Sequence, residues 1–189
     1  MNIYLFRHGE VENPAEVLYA RLPGFHLSAE GREHVCLTAE KLRGAGIKKV
    51  YTSPLERGIE TAEIIIEVLG LNKSDLIIEE NLIESDCGKC AGMPYKKFYK
   101  MVERLDWAKQ DLIEPIEHSG ERVLSVMDRV ALGDENAILV SHGDPIIGAV
   151  IKITGDWGFY ANRYVRRGEF VKLSRTAQDW KVAEFSAEQ

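Results

Sequence analysis

The chain has little sulfur, no long apolar run and no surplus of positive charge. Three cysteines among 189 residues are an odd and small set, which makes no disulfide framework. No apolar stretch approaches the roughly 18 residues a membrane-spanning helix needs. Arg7-His8 arrives after a handful of residues, too early for a signal-peptide core, so the expected compartment is the cytoplasm and no membrane partner is expected. Lys plus Arg number 24 against 30 Asp plus Glu, a net charge of −6. That balance argues against non-specific binding of nucleic acid or anionic membrane. It leaves room for a small anion, because a local group of arginines outweighs a distant negative field. Repeats, low-complexity tracts and linkers rich in Pro, Gly or Ser are absent. The simplest reading is one domain spanning 1–189, long enough for a real core.

Two short stretches echo each other. Ile3-Tyr4-Leu5-Phe6-Arg7-His8-Gly9 and Ala137-Ile138-Leu139-Val140-Ser141-His142-Gly143 are both four apolar residues followed by x-His-Gly. A short apolar run bounded by glycine reads as a buried strand giving way to a loop. In α/β sheets, ligands sit beyond the carboxyl ends of parallel strands. Two imidazoles about 130 residues apart in sequence would then meet at one sheet edge.

Between them the pattern alternates. Ser28 reads as the cap of a helix running to Arg43 and ended by Gly44. Val50-Tyr51-Thr52 reads as a strand, and Ser53-Pro54-Leu55-Glu56 as a capping-box helix start. Leu55, Ile59, Ala62, Ile66 and Leu69 form a helical stripe closed by Gly70. Leu76-Ile77-Ile78 is a third strand, and 81–92 is an irregular stretch carrying Glu84. Pro94 opens an amphipathic helix with Tyr95, Phe98, Val102 and Leu105 on one face. Lys96, Lys97, Lys100 and Arg104 lie on its other, solvated face. Ser119 caps a helix through Val123, Val126 and Val130. Asp144-Pro145 reads as cap and first residue of a helix ending at Gly155. Segments 170–173 and 180–183 close the chain as a hairpin. The fold class is therefore α/β, a three-layer sandwich with a mostly parallel central sheet flanked by helices.

Arg7, His8, Arg57 and His142 are thus placed at three strand ends. Guanidinium forks bind tetrahedral oxyanions bidentately, and the clustered cations call for a phosphate dianion between them. A neutral histidine can attack phosphorus, and a protonated one can stabilise the equatorial oxygens. A carboxylic acid must protonate the leaving alkoxide and then deprotonate water. Glu84 is best placed for this, with Glu10, Glu12 and Asp144 as rivals. On position alone, Arg57 has a bland alternative as a solvated helix arginine.

These residues carry a resemblance. Arg7-His8-Gly9-Glu10 resembles the signature of the histidine phosphatase superfamily, in its phosphoglycerate-mutase-like branch. Ser53-Pro54-Leu55-Glu56-Arg57 with Glu60-Thr61-Ala62 is similar to the family's second-arginine helix. Leu82-Ile83-Glu84, with Gly88 and Gly92 downstream, is similar to its acid-bearing segment, Val140-Ser141-His142-Gly143 to its second histidine, and 27–31 to its first helix start. The pieces come in order over residues 3 to about 150. The resemblance implies His8 as nucleophile, Glu84 as proton donor and base, and Arg7, Arg57 and His142 around the phosphoryl group. Gly143 and, more loosely, Asn13 join that set. No metal and no cofactor are implied, and the expected substrate is a small phosphorylated metabolite.

Departures from the pattern are Val11, where a hydroxyl residue is usual, and Asn13, which stands one position early. Cys87 and Cys90 replace bulky aromatics around Gly88. Cys87-Gly88-Lys89-Cys90 also reads as a redox pair or half a metal site, but two packed thiols account for it more simply. The rim falls to 19–26, 84–107 and 157–167, where Arg21, His26 and Arg163 either read a second anion or are solvated. Four activities use these residues: a phosphomonoesterase, a mutase with the same intermediate, a metal-dependent hydrolase on His8-x-Glu10 and His142-x-Asp144, and a non-catalytic phosphate binder. The first is favoured. Arginine beside a ligand repels a metal, and every catalytic residue type is present. Substrate identity and oligomeric state stay open at this stage.

Overall fold

A computed structural model describes residues 1–102, 113–158, 165–176 and 179–186. Six strands form one sheet. They are β1 (Asn2–Arg7), β2 (Ile47–Thr52), β3 (Leu76–Ile78), β4 (Asn136–Ser141), β5 (Phe170–Arg175) and β6 (Trp180–Phe185). Their order is β3-β2-β4-β1-β5-β6. The first four are parallel, and β5 and β6 add an antiparallel hairpin at one edge. The α/β, mostly parallel sheet read from the sequence is the observed architecture.

Side chains alternate across a strand, and both faces of this sheet are covered. From β1 and β4, Ile3, Leu5, Ala137 and Leu139 point to one core with Val123, Met127, Ile146 and Val150. Those partners lie on α4 (Ile116–Val130) and α5 (Gly143–Thr154). Tyr4, Phe6, Ile138 and Val140 point the other way, to Val35, Ala39, Ile65 and Ile66. These belong to α1 (Ala29–Glu40) and α2 (Glu56–Leu69). Burial on both faces is why the strands are apolar runs rather than alternating patterns. α3 (Tyr95–Val102) follows the irregular stretch, with Lys96, Lys97 and Lys100 exposed as expected. Arg104 and Leu105 lie outside the described residues.

Several boundaries differ from expectation. Helix α1 ends at Glu40 rather than Arg43, because the chain tightens into i→i−3 turns at Leu42 and Arg43 before Gly44 at φ +78. Helix α2 is capped by Leu55, without a side-chain bond. Ser53 does not close a capping box there, because its N–H still bonds the sheet at Val140 O, 3.0 Å. The buried face of α2 runs through Arg57, Gly58, Thr61, Ala62, Ile65, Ile66 and Val68, so Ala62 and Ile66 of the expected stripe are kept, while the face extends to Arg57, which is inside. Helix α4 starts at Ile116, behind Pro115. Ser119 lies within it, its hydroxyl donating to Ile116 O at 3.0 Å. Helix α5 begins after His142, so Pro145 is its third residue rather than its first. That is tolerated, because N–H groups of a first turn have no partner inside the helix.

Helices α4 and α5 touch backbone to backbone. A Cβ on Gly120 would lie 2.3 Å from the carbonyl carbon of Gly148, and one on Gly148 would lie 2.2 Å from Ile116 O. Backbone cannot yield as a flexible side chain can. Gly120→Ala should therefore cost about 3 kcal/mol, the upper part of the overpacking range. Urea denaturation of both proteins checks this, and a loss under about 0.5 kcal/mol would contradict the close crossing.

Candidate active site

The site is built where β2, β4 and β1 end side by side. Arg7 pairs with Ser141 in the β1–β4 register, so the next residues, His8 and His142, leave the sheet at one height. Main-chain bonds carry the sheet a step further: His8 N–H to Ser141 O (3.1 Å) and Ser53 N–H to Val140 O. The two imidazole rings lie 5.0 Å apart, centre to centre. Both are fully enclosed, at 1% and 0% exposure. The expectation that distant histidines meet at one sheet edge is met.

Each ring is held from behind. His8 Nδ1 lies 2.7 Å from Gly9 O. A carbonyl only accepts, so Nδ1 carries the proton and the Nε2 lone pair is free. Gly9 N–H donates to Thr61 Oγ1 (3.1 Å), and that hydroxyl donates to Arg57 O (2.7 Å). His142 Nε2 lies 2.7 Å from Ser53 Oγ. Ser53 was read from the sequence as a helix cap, and its place beside the second histidine was missed. Tyr19 and Arg167 fall in the rim segments 19–26 and 157–167 and Thr61 in the second-arginine pattern, but the sequence assigns none of them an individual role.

Arg57 is completely buried on the first turn of α2. Its Nη2 donates to Ala20 O (2.6 Å), and its guanidinium lies 4.8 Å from the Tyr19 ring centre. Its Nε and Nη1 have no hydrogen-bond partner among the described residues. Arg7 Nη1 donates to Val165 O (3.0 Å), and Gly168 N–H straddles the carbonyls of Arg7 and His8. Burial, then the charges of Arg57 and Arg7, hold His8 well below the ordinary imidazole range. Burial and Arg57 do the same to His142. Both rings are therefore neutral at pH 7.

Of the four carboxylates weighed from sequence, Glu84 has its Oε2 3.8 Å from His142 Nδ1. Glu10 is engaged by Arg167 at 2.7 and 2.8 Å. Glu12 is exposed, and Asp144 sits in the first turn of α5. Burial first, and Asp144 second, push Glu84 up to about 7. Asn13 holds a turn, its amide bonding both N–H and O of Val17. Gly143 is the buried first residue of α5.

Of the rim residues, His26 is on Glu60 (2.5 Å) and Arg21 donates to Glu84 O (2.7 Å). Arg163 lies outside the described residues. Cys87 and Cys90 are free and buried beside Ala20, Phe98 and Met101, the packed-thiol reading. Burial pushes the Cys87 thiol up to about 12.

Comparison with known proteins decides the family. The family model of the histidine phosphatase superfamily, branch 1, matches residues 3–187. The chain belongs to the histidine phosphatase superfamily. An uncharacterised protein of Mycobacterium tuberculosis is 45% identical over 85 residues, 44% of this chain and 40% of that protein's length. The chain thus spans well under half of that relative. A 2,3-bisphosphoglycerate-dependent phosphoglycerate mutase of Thermoplasma acidophilum is 29% identical over 157 residues, 77% of this chain and 72% of the mutase. The solved structure of a mycobacterial glucosyl-3-phosphoglycerate phosphatase covers 98% of both chains at a TM-score of 0.81 and 18% identity, a likeness of fold.

A raised carboxyl inside this superfamily site has a cost in stability. The folded protein holds Glu84's proton more tightly than the unfolded chain does. The resulting stabilisation is present in acid and is lost as the pH rises through about 7. Glu84→Gln removes that loss. From pH 4 to pH 8.5 the variant should gain up to about 3 kcal/mol relative to the parent. Parallel stability curves for the two proteins would refute it.

Proposed function

We propose that the protein hydrolyses phosphomonoesters of small metabolites through a phosphohistidine on His8, with no metal needed. The observation that carries this reading is the enclosed pair of neutral imidazoles 5.0 Å apart, with the buried Arg57 beside them. A neutral His8 with Nδ1 anchored is a nucleophile at Nε2. Arg7, Arg57 and His142 would hold the phosphoryl oxygens, with the first N–H groups of α5 from Gly143 adding helix-end potential. The guanidinium groups supply the positive charge that a metal would otherwise bring, and they repel one.

In the first step Nε2 of His8 forms a bond to phosphorus while the ester P–O bond breaks. The departing alkoxide takes the proton of Glu84. In the second step the Glu84 carboxylate takes a proton from water. The water oxygen bonds phosphorus, the N–P bond breaks, and its electron pair returns to His8. A carboxyl near 7 serves both steps at neutral pH, as acid and then as base. His142 gains a proton most readily once a dianion lies beside it. Once protonated, His142 donates from Nε2 to Ser53 Oγ, 2.7 Å away, and its Nδ1–H is left as a donor to the transferring oxygens.

The mutase relative favours a second reading, in which a second substrate's hydroxyl takes the phosphoryl group in place of water. The first half-reaction is shared. Assays with and without a phosphorylated cosubstrate separate the two.

His8→Ala should lower phosphatase activity by at least ~10³-fold, since it removes the nucleophile. Acid-labile, base-stable phosphate should be trapped on His8 of the parent and be missing from the variant. Full activity in the variant would overturn the mechanism. Phosphorylation by an alkyl phosphate should decline above about pH 7, as Glu84 loses its proton. His8, already neutral, adds no fall between pH 7 and 6. A flat profile through pH 8.5 would remove Glu84 from the acid role.

A further inference from the structure

The stretch that carries Glu84 has almost no regular structure. One short 3-10 turn, Glu80–Leu82, precedes it, and no ladder or helix holds it. An acid that must reach a leaving oxygen within a few tenths of an ångström needs another support. Four successive carbonyls, Asn81 to Glu84, are each gripped by a side chain. Arg122 Nη1 donates to Asn81 O (2.8 Å) and Ile83 O (3.0 Å). Ser141 Oγ donates to Leu82 O (2.7 Å). Arg21 Nε donates to Glu84 O (2.7 Å).

Both guanidinium groups converge on Glu114. Arg122 binds it through Nε (2.8 Å) and Nη2 (2.9 Å), and Arg21 binds it through Nη2 (2.8 Å). Glu114 also accepts from Asp86 N–H (3.0 Å), and its own N–H donates to Asp86 O (2.7 Å). Its side chain is 15% exposed. Burial alone would push this carboxyl up. The bonds from Arg122 and from Asp86 N–H, with the charges of Arg122 and Arg21, outweigh burial and hold it below the usual carboxylate range. It is ionised wherever the enzyme works.

We infer that Glu114 is a positioning residue for the reaction: it orients Arg21 and Arg122 so that they clamp the carbonyls of 81–84 and set Glu84 at the leaving oxygen. The inference rests on the reading of Glu84 as proton donor. Without the Glu114 charge, the two guanidinium groups repel each other. Arg21 then turns to Asp86, already 3.8 Å from its Nη1, and releases Glu84 O. Among the described residues, the side-chain hydrogen bonds and ion pairs of Glu114 go to Arg21, Asp86 and Arg122, and none goes to His8, Arg57 or His142.

The test compares rates of phosphoenzyme formation on two substrates by rapid quench. An alkyl phosphate that the parent turns over needs a proton at its leaving group. 2,4-Dinitrophenyl phosphate does not. The alkyl-to-aryl rate ratio is taken on one preparation, so any inactive fraction cancels. Glu84→Gln should lower this ratio by at least ~10²-fold, the scale of general-acid catalysis. Glu114→Gln, which keeps the shape and removes the charge, should lower it about tenfold, part of that same contribution. Arg122→Lys should lower it in the same direction, and decides the matter if Glu114→Gln does not fold. If Glu84→Gln leaves the ratio unchanged, the acid assignment fails and the inference fails with it. If Glu84→Gln lowers the ratio while Glu114→Gln or Arg122→Lys leaves it within twofold of the parent, the acid assignment stands and the positioning role is overturned.

Discussion

The parallel pairing of β1 with β4 is the constraint on which the rest depends. Its register sets Arg7 opposite Ser141, and this alone makes neighbours of two histidines so far apart in sequence. A slip of one residue would turn every side chain of β1 to the other face. Ile3 and Leu5 would trade cores with Tyr4 and Phe6, between clusters that both lie at or near zero exposure. The same packing that fixes the fold therefore fixes the site. The spacing of the rings is enforced by the hydrophobic core rather than by contacts between the imidazoles.

That enforcement is needed because the pocket is electrostatically unfavourable on its own. Arg57 is wholly buried, with two of its nitrogens unbonded among the described residues, beside rings that burial keeps neutral. Buried charge without full pairing costs several kcal/mol. The arrangement persists because Ala20 O, the Tyr19 face and Thr61 fix Arg57 from one side. Ala20 itself sits at φ +41, an unusual conformation for a residue with a Cβ, and it presents its carbonyl to the guanidinium. On the proposed function, a doubly charged oxyanion beside Arg57 would pair with these nitrogens and offset that cost.

The strand ends were legible because a buried parallel strand must be an apolar run, and a loop must follow it. His8, Arg57 and His142 were found by that rule and by their place after each strand. What escaped were residues whose roles depend on the third dimension. Ser53 has the sequence context of a helix cap, and the capping-box pattern is sound chemistry. Continuation of the sheet at Val140 O diverts it to His142 instead. Ser119 and Asp144 were misread as caps for a related reason. Caps are local, whereas α4 starts behind Pro115 and α5 starts directly after His142, where β4 ends. Arg21 looked like a solvated or substrate-reading cation. Only the fold brings it to the carbonyl of Glu84.

The site divides its labour between two kinds of support. His8 and His142, the proposed phosphoryl cradle, rest on strand ends held by main-chain bonds and by the two cores. Glu84, the proposed acid, rests on a loop tied by guanidinium groups to a single ionised carboxylate. A proton donor has to serve leaving groups of different shape while the nucleophile meets the same phosphorus each time. Rigid backbone suits the constant part of that task. Side-chain ties, which shift with one substitution, suit the variable part. Cys87 and Cys90 lie just beyond this loop, packed among Ala20, Phe98 and Met101. Changes of substrate class are therefore expected in the segment from Glu84 to α3, with the paired histidines left as they are.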